Sequence, residues 1–205
     1  TLADALAKQG YETLTPVQEA VNVPELEGKD LLVSAQTGSG KTVAFGIAIG
    51  KTILPEDGHF GPAGRPLALI IAPTRELALQ VKRELQWLYA GAGATIVSTV
   101  GGMDFRDEKR SLERGAHIVV STPGRLRDHI MRNTLDMSDI RAVVLDEADE
   151  MLDLGFRDDL EFILSKAPPE RRTLMFSATV PPMIAKLAKS YQNNAERIAT
   201  VSKES

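Results

Sequence analysis

The sequence predicts an α/β domain with a predominantly parallel central sheet and helices on both faces. Six short apolar runs recur along the chain without polar alternation, as strands do when both sheet faces are covered. Segments of helical periodicity lie between them, and strand alternating with helix makes a parallel sheet wound on both sides. Each run ends in a small, polar or Gly-containing cluster. In open parallel sheets ligands bind outside the carboxyl ends of the strands, so these clusters are expected to converge on one rim.

Taken in order, the runs are LLVSA (31–35), LALIIA (67–72), TIVSTV (95–100), HIVVS (117–121), AVVL (142–145) and TLMFS (173–177). Most are rich in β-branched residues and all are bounded by turn signals. A helix is expected over residues 75–89, where Leu77, Val81, Leu85 and Leu88 recur at helical spacing. Trp87 and Tyr89 fall off that stripe and are expected at partly exposed or edge positions. Residues 183–191 read as a second amphipathic helix, opened by Pro181 and Pro182. Residues 54–66 collect Gly, Pro and charge and read as a mobile surface loop. The mixed run 106–114 reads as a solvated helical face, and the six Met as core filling. His59, His117 and His129 have no paired ligand spacing, so zinc is not expected.

A chain of 205 residues is the size of one ordinary domain, and 43% hydrophobic with 25% charged residues excludes disorder, collagen-like repeats and coiled coil. With no cysteine there is no disulfide framework, thiol nucleophile or Cys-ligated zinc, and a reducing compartment fits. No apolar stretch approaches the roughly 20 residues that span a bilayer. Residues 1–10 lack the succession of a signal peptide. The expectation is a soluble, cytoplasmic, monomeric domain with no membrane partner. The net charge of −4 is uneven: residues 146–161 hold eight acids and one base, leaving 20 acids and 23 bases elsewhere. The acidic total therefore does not exclude a nucleic-acid partner.

The strongest chemical signal is the run Ala35-Gln-Thr-Gly-Ser-Gly-Lys-Thr42, between a strand and a helix. A Gly-rich loop there turns consecutive N–H groups inward around phosphate oxygens, and the helix N-terminus adds partial positive charge. Thr37, Gly38, Ser39 and Gly40 form the cradle, Lys41 supplies a full charge, and the hydroxyl of Thr42 can hold Mg²⁺. The general pattern G-x-x-x-x-G-K-[ST] fails only at its first position, which is Ala35. Asp146 and Glu147 end the fifth run. An acid at a strand end facing such a loop is the expected partner of Mg²⁺ through water, with its neighbour orienting or deprotonating an attacking water. Standing alone, the pair would read as a solvated acidic cap on a helix beginning near Ala148.

In sequence order the chain also carries Gly10-Tyr11, Thr15-Pro-Val-Gln18, Pro73-Thr-Arg-Glu-Leu-Ala78, Gly101-Gly102, Thr122-Pro-Gly-Arg125, Asp146-Glu-Ala-Asp149 and Ser177-Ala-Thr179. With the phosphate loop these make eight motifs, and together they resemble the first, RecA-like domain of the DEAD-box RNA helicases of superfamily 2, over residues 10–191. The resemblance implies a RecA-like P-loop NTPase fold, with residues 1–28 as the Q-motif region and 29–205 as the core. Ala35 is ordinary in that family. ATP and Mg²⁺ are the implied cofactors, with Gln18 on the adenine edge and Tyr11 stacked on its face. Thr15-Pro-Val-Gln18 is equally a capping box with Pro16 at the first helical position, and both roles can hold. The family's upstream aromatic falls at or before Thr1, and Leu14 stands where many members have Pro.

The resemblance further assigns Thr74, Arg75, Gly102, Thr122 and Arg125 to single-stranded RNA or a short RNA duplex. Contacts of this kind grip phosphates without reading sequence. Thr122 and Pro123 also make a helix start in their own right. Ser177 and Thr179 would couple nucleotide to the neighbouring domain, or else cap the helix at Pro181. The family's second RecA-like domain carries an HRxGRxxR-type segment that is absent from this sequence. The expectation is a portion of a longer helicase that binds nucleotide and is nearly inactive alone. ATP-dependent clamping of RNA, without strand separation, is the alternative duty that these motifs leave open.

Overall fold

The computed structural model describes residues 2–10, 13–36 and 40–200. Among these, seven strands form one all-parallel sheet: β1 (Leu31–Ser34), β2 (Ala68–Ile71), β3 (Ile96–Thr99), β4 (Ile118–Ser121), β5 (Ala142–Leu145), β6 (Arg172–Ser177) and β7 (Glu196–Ala199). Their order across the sheet is β3-β4-β2-β5-β6-β1-β7. The helices are α1 (Leu2–Lys8), α2 (Pro16–Val21), α3 (Lys41–Ile53), α4 (Arg75–Leu88), α5 (Phe105–Arg114), α6 (Pro123–Met131), α7 (Ala148–Asp153), α8 (Arg157–Lys166) and α9 (Pro182–Tyr191). All six expected strands are present, each within a residue of its apolar run.

Strand alternation sends successive side chains to opposite faces. Leu31, Val33, Ile70, Val144 and Phe176 pack with Phe45 and Ile49 of α3 and Val81 and Leu85 of α4. Leu32, Leu69, Ile71, Val143 and Met175 pack with α6, α8 and α9 through Leu126, Leu160, Ile163 and Leu187. Both faces are covered, which is why the runs show no polar alternation.

Arg172 opens β6 only 4% exposed. Its guanidinium donates to the carbonyls of Lys29 (2.7 Å), Ala48 (2.9 Å) and Leu26 (3.0 Å), binding the segment ahead of β1 to α3. Burial pulls this guanidinium below its ordinary value, against the opposing pull of Asp30 and Glu27.

Four expectations change. Tyr89 is fully buried, because the chain leaves α4 there and its ring turns under α3, where the hydroxyl donates to the carbonyl of Gly46 at 2.5 Å. Residues 54–66 are pinned to the body. Phe60 stacks on His117 with centroids 4.4 Å apart and donates its N–H to Ala92, while Ala116 donates to Gly64. Gly115 is required there, since at φ 104° a Cβ would stand 2.3 Å from the carbonyl oxygen of Ala63. Three Met residues, 137, 151 and 175, are core, whereas Met103, Met131 and Met183 are exposed. Residues 106–114 do form an exposed helix, except that Glu108 and Leu112 are buried.

Candidate nucleotide and nucleic-acid site

Strand order divides the carboxyl rim in two. β5, β6 and β1 are neighbours, so Asp146, Ser177 and Ala35 emerge side by side, and the N–H of Ala35 donates to Ser177 at 3.0 Å. β3, β4 and β2 are neighbours on the other side, so Gly101, Thr122 and Thr74 emerge together.

On the first half, Lys41 is the first residue of α3. Its Nζ lies 2.6 Å from Oδ1 of Asp146 and 3.3 Å from Oε1 of Glu147. Asp146 is 3% exposed, so it is not a solvated cap. Burial pushes its carboxyl above the ordinary range, and the ammonium of Lys41 pulls it back part of the way. Glu147 holds a left-handed backbone, φ 53° and ψ 53°, at the turn from β5 into α7. A non-glycine residue in that region stores strain, which is characteristic of functional turns. Asp149 accepts from the backbone N–H (3.1 Å) and hydroxyl (3.0 Å) of Thr179, and Ser177 donates its hydroxyl to the carbonyl of Thr179 at 2.5 Å. Neither Ser177 nor Thr179 caps α9, whose N-cap is Pro181.

Gln18 is fully buried, and the capping box at Thr15 is formed. Its Oε1 accepts from the N–H of Thr15 at 2.9 Å, and its Nε2 donates to the carbonyl of Gly40 at 3.1 Å. The cap thus reaches the end of the phosphate loop. At Gly40, φ 80°, an added Cβ would come within 2.6 Å of that Nε2. A 290 Å³ cleft is lined by Gly40, Lys41, Thr42, Leu77, Asp146 and Glu147 among others. A hollow of 190 Å³ beside it joins Lys41 and Glu147 to Thr74, Asp149 and Ser177. Larger hollows lie elsewhere; that of 550 Å³ is lined by Gly28, Arg141 and Arg171 at the amino ends of the strands, away from this chemistry. Tyr11, Thr37, Gly38 and Ser39 lie outside the described residues.

The donor set suits a nucleotide and its metal. Gly40 admits the left-handed turn and the close approach of Gln18, and Lys41 opens a helix of 13 residues whose N-terminus attracts anions. Thr42, Asp146 and Glu147 supply the oxygen atoms that Mg²⁺ prefers.

On the second half, Thr74 caps α4, its hydroxyl accepting from the N–H of Leu77 at 3.3 Å. Thr122 occupies the N-cap of α6 without a side-chain cap bond, so only Pro123 of that expected helix start acts as read. Gly101 and Gly102 take φ 70° and 67°, consecutive left-handed residues. The turn is filled by arginine: a Cβ on Gly102 would come 2.8 Å from Nη1 of Arg75. Arg75 Nη2 lies 3.5 Å from Sδ of Met103, and Arg125 Nη2 donates to the carbonyl of Met103 at 2.8 Å. Arg75, Gly102 and Arg125 therefore meet around Met103, a residue that sequence reasoning placed in the core. Sequence reasoning also missed Glu108, 3.4 Å from Arg125 Nε, since nothing in its spacing marks one acid of α5 as buried.

Residues 15–187 match the family described as DEAD/DEAH box helicase. The chain is 43% identical over 203 residues to a DEAD-box ATP-dependent RNA helicase, CshA, of Bacillus licheniformis, covering 99% of this chain and 40% of that protein. It is 42% identical over 203 residues to DEAD-box ATP-dependent RNA helicase 9 of Oryza sativa subsp. japonica, covering 99% and 32%. The chain thus spans well under half the length of these relatives. A crystal structure of a DEAD box protein from Methanococcus jannaschii superposes with a TM-score of 0.88 at 35% identity, over 98% of this chain and 53% of that one. With its motif order, its sheet and the Lys41–Asp146 contact in place, the chain belongs to the DEAD/DEAH box helicase family and forms the N-terminal RecA-like domain of that architecture.

Proposed function

We propose that this chain binds ATP with Mg²⁺ on the β5-β6-β1 half and grips single-stranded RNA or a short RNA duplex on the β3-β4-β2 half. Joined to a second RecA-like domain, it unwinds short duplexes locally. The carrying observation is the contact of Lys41 with both Asp146 and Glu147: the cation and the carboxylates already face one another where a terminal phosphate and its metal would be received. Lys41 would exchange its carboxylate partners for phosphate oxygens, and Thr42 and Asp146 would hold the metal, Asp146 through water. Bound there, the metal would supply positive charge against that of the phosphates. Glu147 orients the attacking water and takes its proton. Gln18 and Tyr11 select adenine, so residues 1–28 serve the base and 29–205 the phosphates and the strand. Asp149 ties Thr179, and with it Ser177, to the metal-side turn, which carries the nucleotide state toward the neighbouring domain. Thr74, Thr122, Gly102 and the two arginines hold RNA phosphates without reading bases. The relatives' names support helicase duty over passive clamping.

The protein works in the cytoplasm as a monomer. Among the described residues no helix is long and apolar enough to cross a membrane. Steady-state ATP hydrolysis, with and without RNA, of this chain beside the intact protein tests the reading. The intact protein is expected to be RNA-stimulated, and the chain alone slower by about 10³-fold or more, since arginines from the second domain are missing. Equal RNA-stimulated rates would overturn it.

A further inference from the structure

α5 carries one acid that is not in solvent. Glu108 is 5% exposed, and its carboxylate serves three partners. Oε2 accepts the N–H of Val100, the residue that enters the Gly101-Gly102 turn, at 2.9 Å. Oε1 lies 2.9 Å from Nε2 of His129 and 3.4 Å from Nε of Arg125. His129 is itself fully buried, with Nδ1 2.6 Å from the hydroxyl of Thr134 and its ring stacked on Phe105 at 4.2 Å. Arg125 returns to the turn by donating to the carbonyl of Met103. The contacts close a circuit from Glu108 through Val100 and the paired glycines to Met103, then through Arg125 back to Glu108.

A buried carboxylate is costly to desolvate and persists where partners compensate it. Here the partners belong to two segments that follow different strands: Val100 directly follows β3, and Arg125 and His129 lie on α6, which follows β4. The guanidinium has five N–H donors. The Glu108 and Met103 contacts engage Nε and Nη2, and the remaining donors are left for a phosphate. We infer that Glu108 is a positioning residue of the nucleic-acid grip, holding the Arg125 guanidinium and the Gly101-Gly102 turn in one preformed geometry. The inference rests on the proposed RNA-gripping role of this half. Glu108 touches no nucleic acid; it lowers the ordering cost that Arg125 and the turn would otherwise meet on binding.

Fluorescence anisotropy with a labelled single-stranded oligouridylate tests this in the intact protein with a non-hydrolysable ATP analogue. The variants are E108Q, R125A and the double variant. Gln keeps the shape and an acceptor for the Val100 N–H while removing the charge that holds Arg125; Ala would strand both Val100 and His129 and risk unfolding. E108Q and R125A are each expected to weaken RNA binding by about five- to tenfold, with the double variant within about twofold of R125A, as for residues acting through one another. E108Q is expected to melt in one cooperative transition and to keep the parent's ATP-analogue affinity. A double variant weaker by about 25-fold or more, the product of independent losses, overturns the inference. So does E108Q binding RNA like the parent while R125A is weakened. Parental RNA affinity in R125A instead defeats the RNA-gripping reading itself.

Discussion

Lys41 and Arg125 are each held by a buried carboxylate, Asp146 at 2.6 Å and Glu108 at 3.4 Å, but the two carboxylates stand in different places. Asp146 is part of the cleft that would receive the ligand, at the end of a strand and beside Glu147. Its pair with Lys41 has to open before a phosphate can enter. Glu108 lies on the helix behind the paired glycines, and its remaining contacts go to Val100 and His129, away from solvent. That pair can persist with RNA in place. One half of the rim therefore carries an exchangeable ion pair and the other a standing buttress. The lesson is that a cation does not reveal its role by its partner, only by whether that partner must leave.

The sharpest way to break the comparison is at Glu147. Glu147→Gln keeps size and hydrogen bonding but not the base, and is expected to lower ATP hydrolysis in the intact protein by about 10²–10⁴-fold. RNA affinity without nucleotide should stay within about twofold of the parent, because Glu147 is not among the residues proposed to hold RNA phosphates. Phosphate release and anisotropy on the same preparation check both.

The next effect is on stability, and it is confined to one half. Arg172→Met leaves the carbonyls of Leu26, Lys29 and Ala48 without the guanidinium donor. A loss of about 3 kcal/mol in urea unfolding is expected, from three lost hydrogen bonds to a charged donor, although the Leu26 carbonyl keeps the N–H of Lys29. Hydrogen exchange should rise in residues 24–30 and in α3 while β3 and β4 stay protected. Equal loosening of both halves would erase the distinction between them.

These regions also show what could be read from sequence. Six of the seven described strands, the edge strand β3 among them, were legible as apolar runs because the sheet faces they pack on are covered. β7 was not: its residues Glu196, Arg197 and Ala199 are exposed, so it carries no apolar run. That Lys41 would face Asp146 was legible, since the chemistry proposed for them needs fixed residue types at fixed spacing. Tyr89 and Glu108 were not, because each is buried by a partner remote in sequence, Gly46 and Val100 with His129. Composition placed Met103 in the core, yet its backbone follows two left-handed glycines and its exposed side chain lies against Arg75.

The smallest expected effect is on the pH dependence of stability. Burial holds the Asp146 carboxyl above its ordinary value, which is about 3.9. Between that value and the higher folded one, the folded domain keeps a proton that the unfolded chain has released. Stability contributed by this group therefore falls as pH rises through the interval. Urea midpoints measured across it should flatten in Asp146→Asn, which cannot titrate.

The division of the rim is tested most directly by measuring two affinities on two variants of the intact protein, Lys41→Ala and Arg125→Ala. The quantities are ATP affinity without RNA, by calorimetry, and RNA affinity without nucleotide, by anisotropy. Lys41→Ala is expected to lose ATP binding and keep RNA binding, and Arg125→Ala to do the reverse. Loss of ATP affinity in Arg125→Ala as large as that in Lys41→Ala would contradict the account.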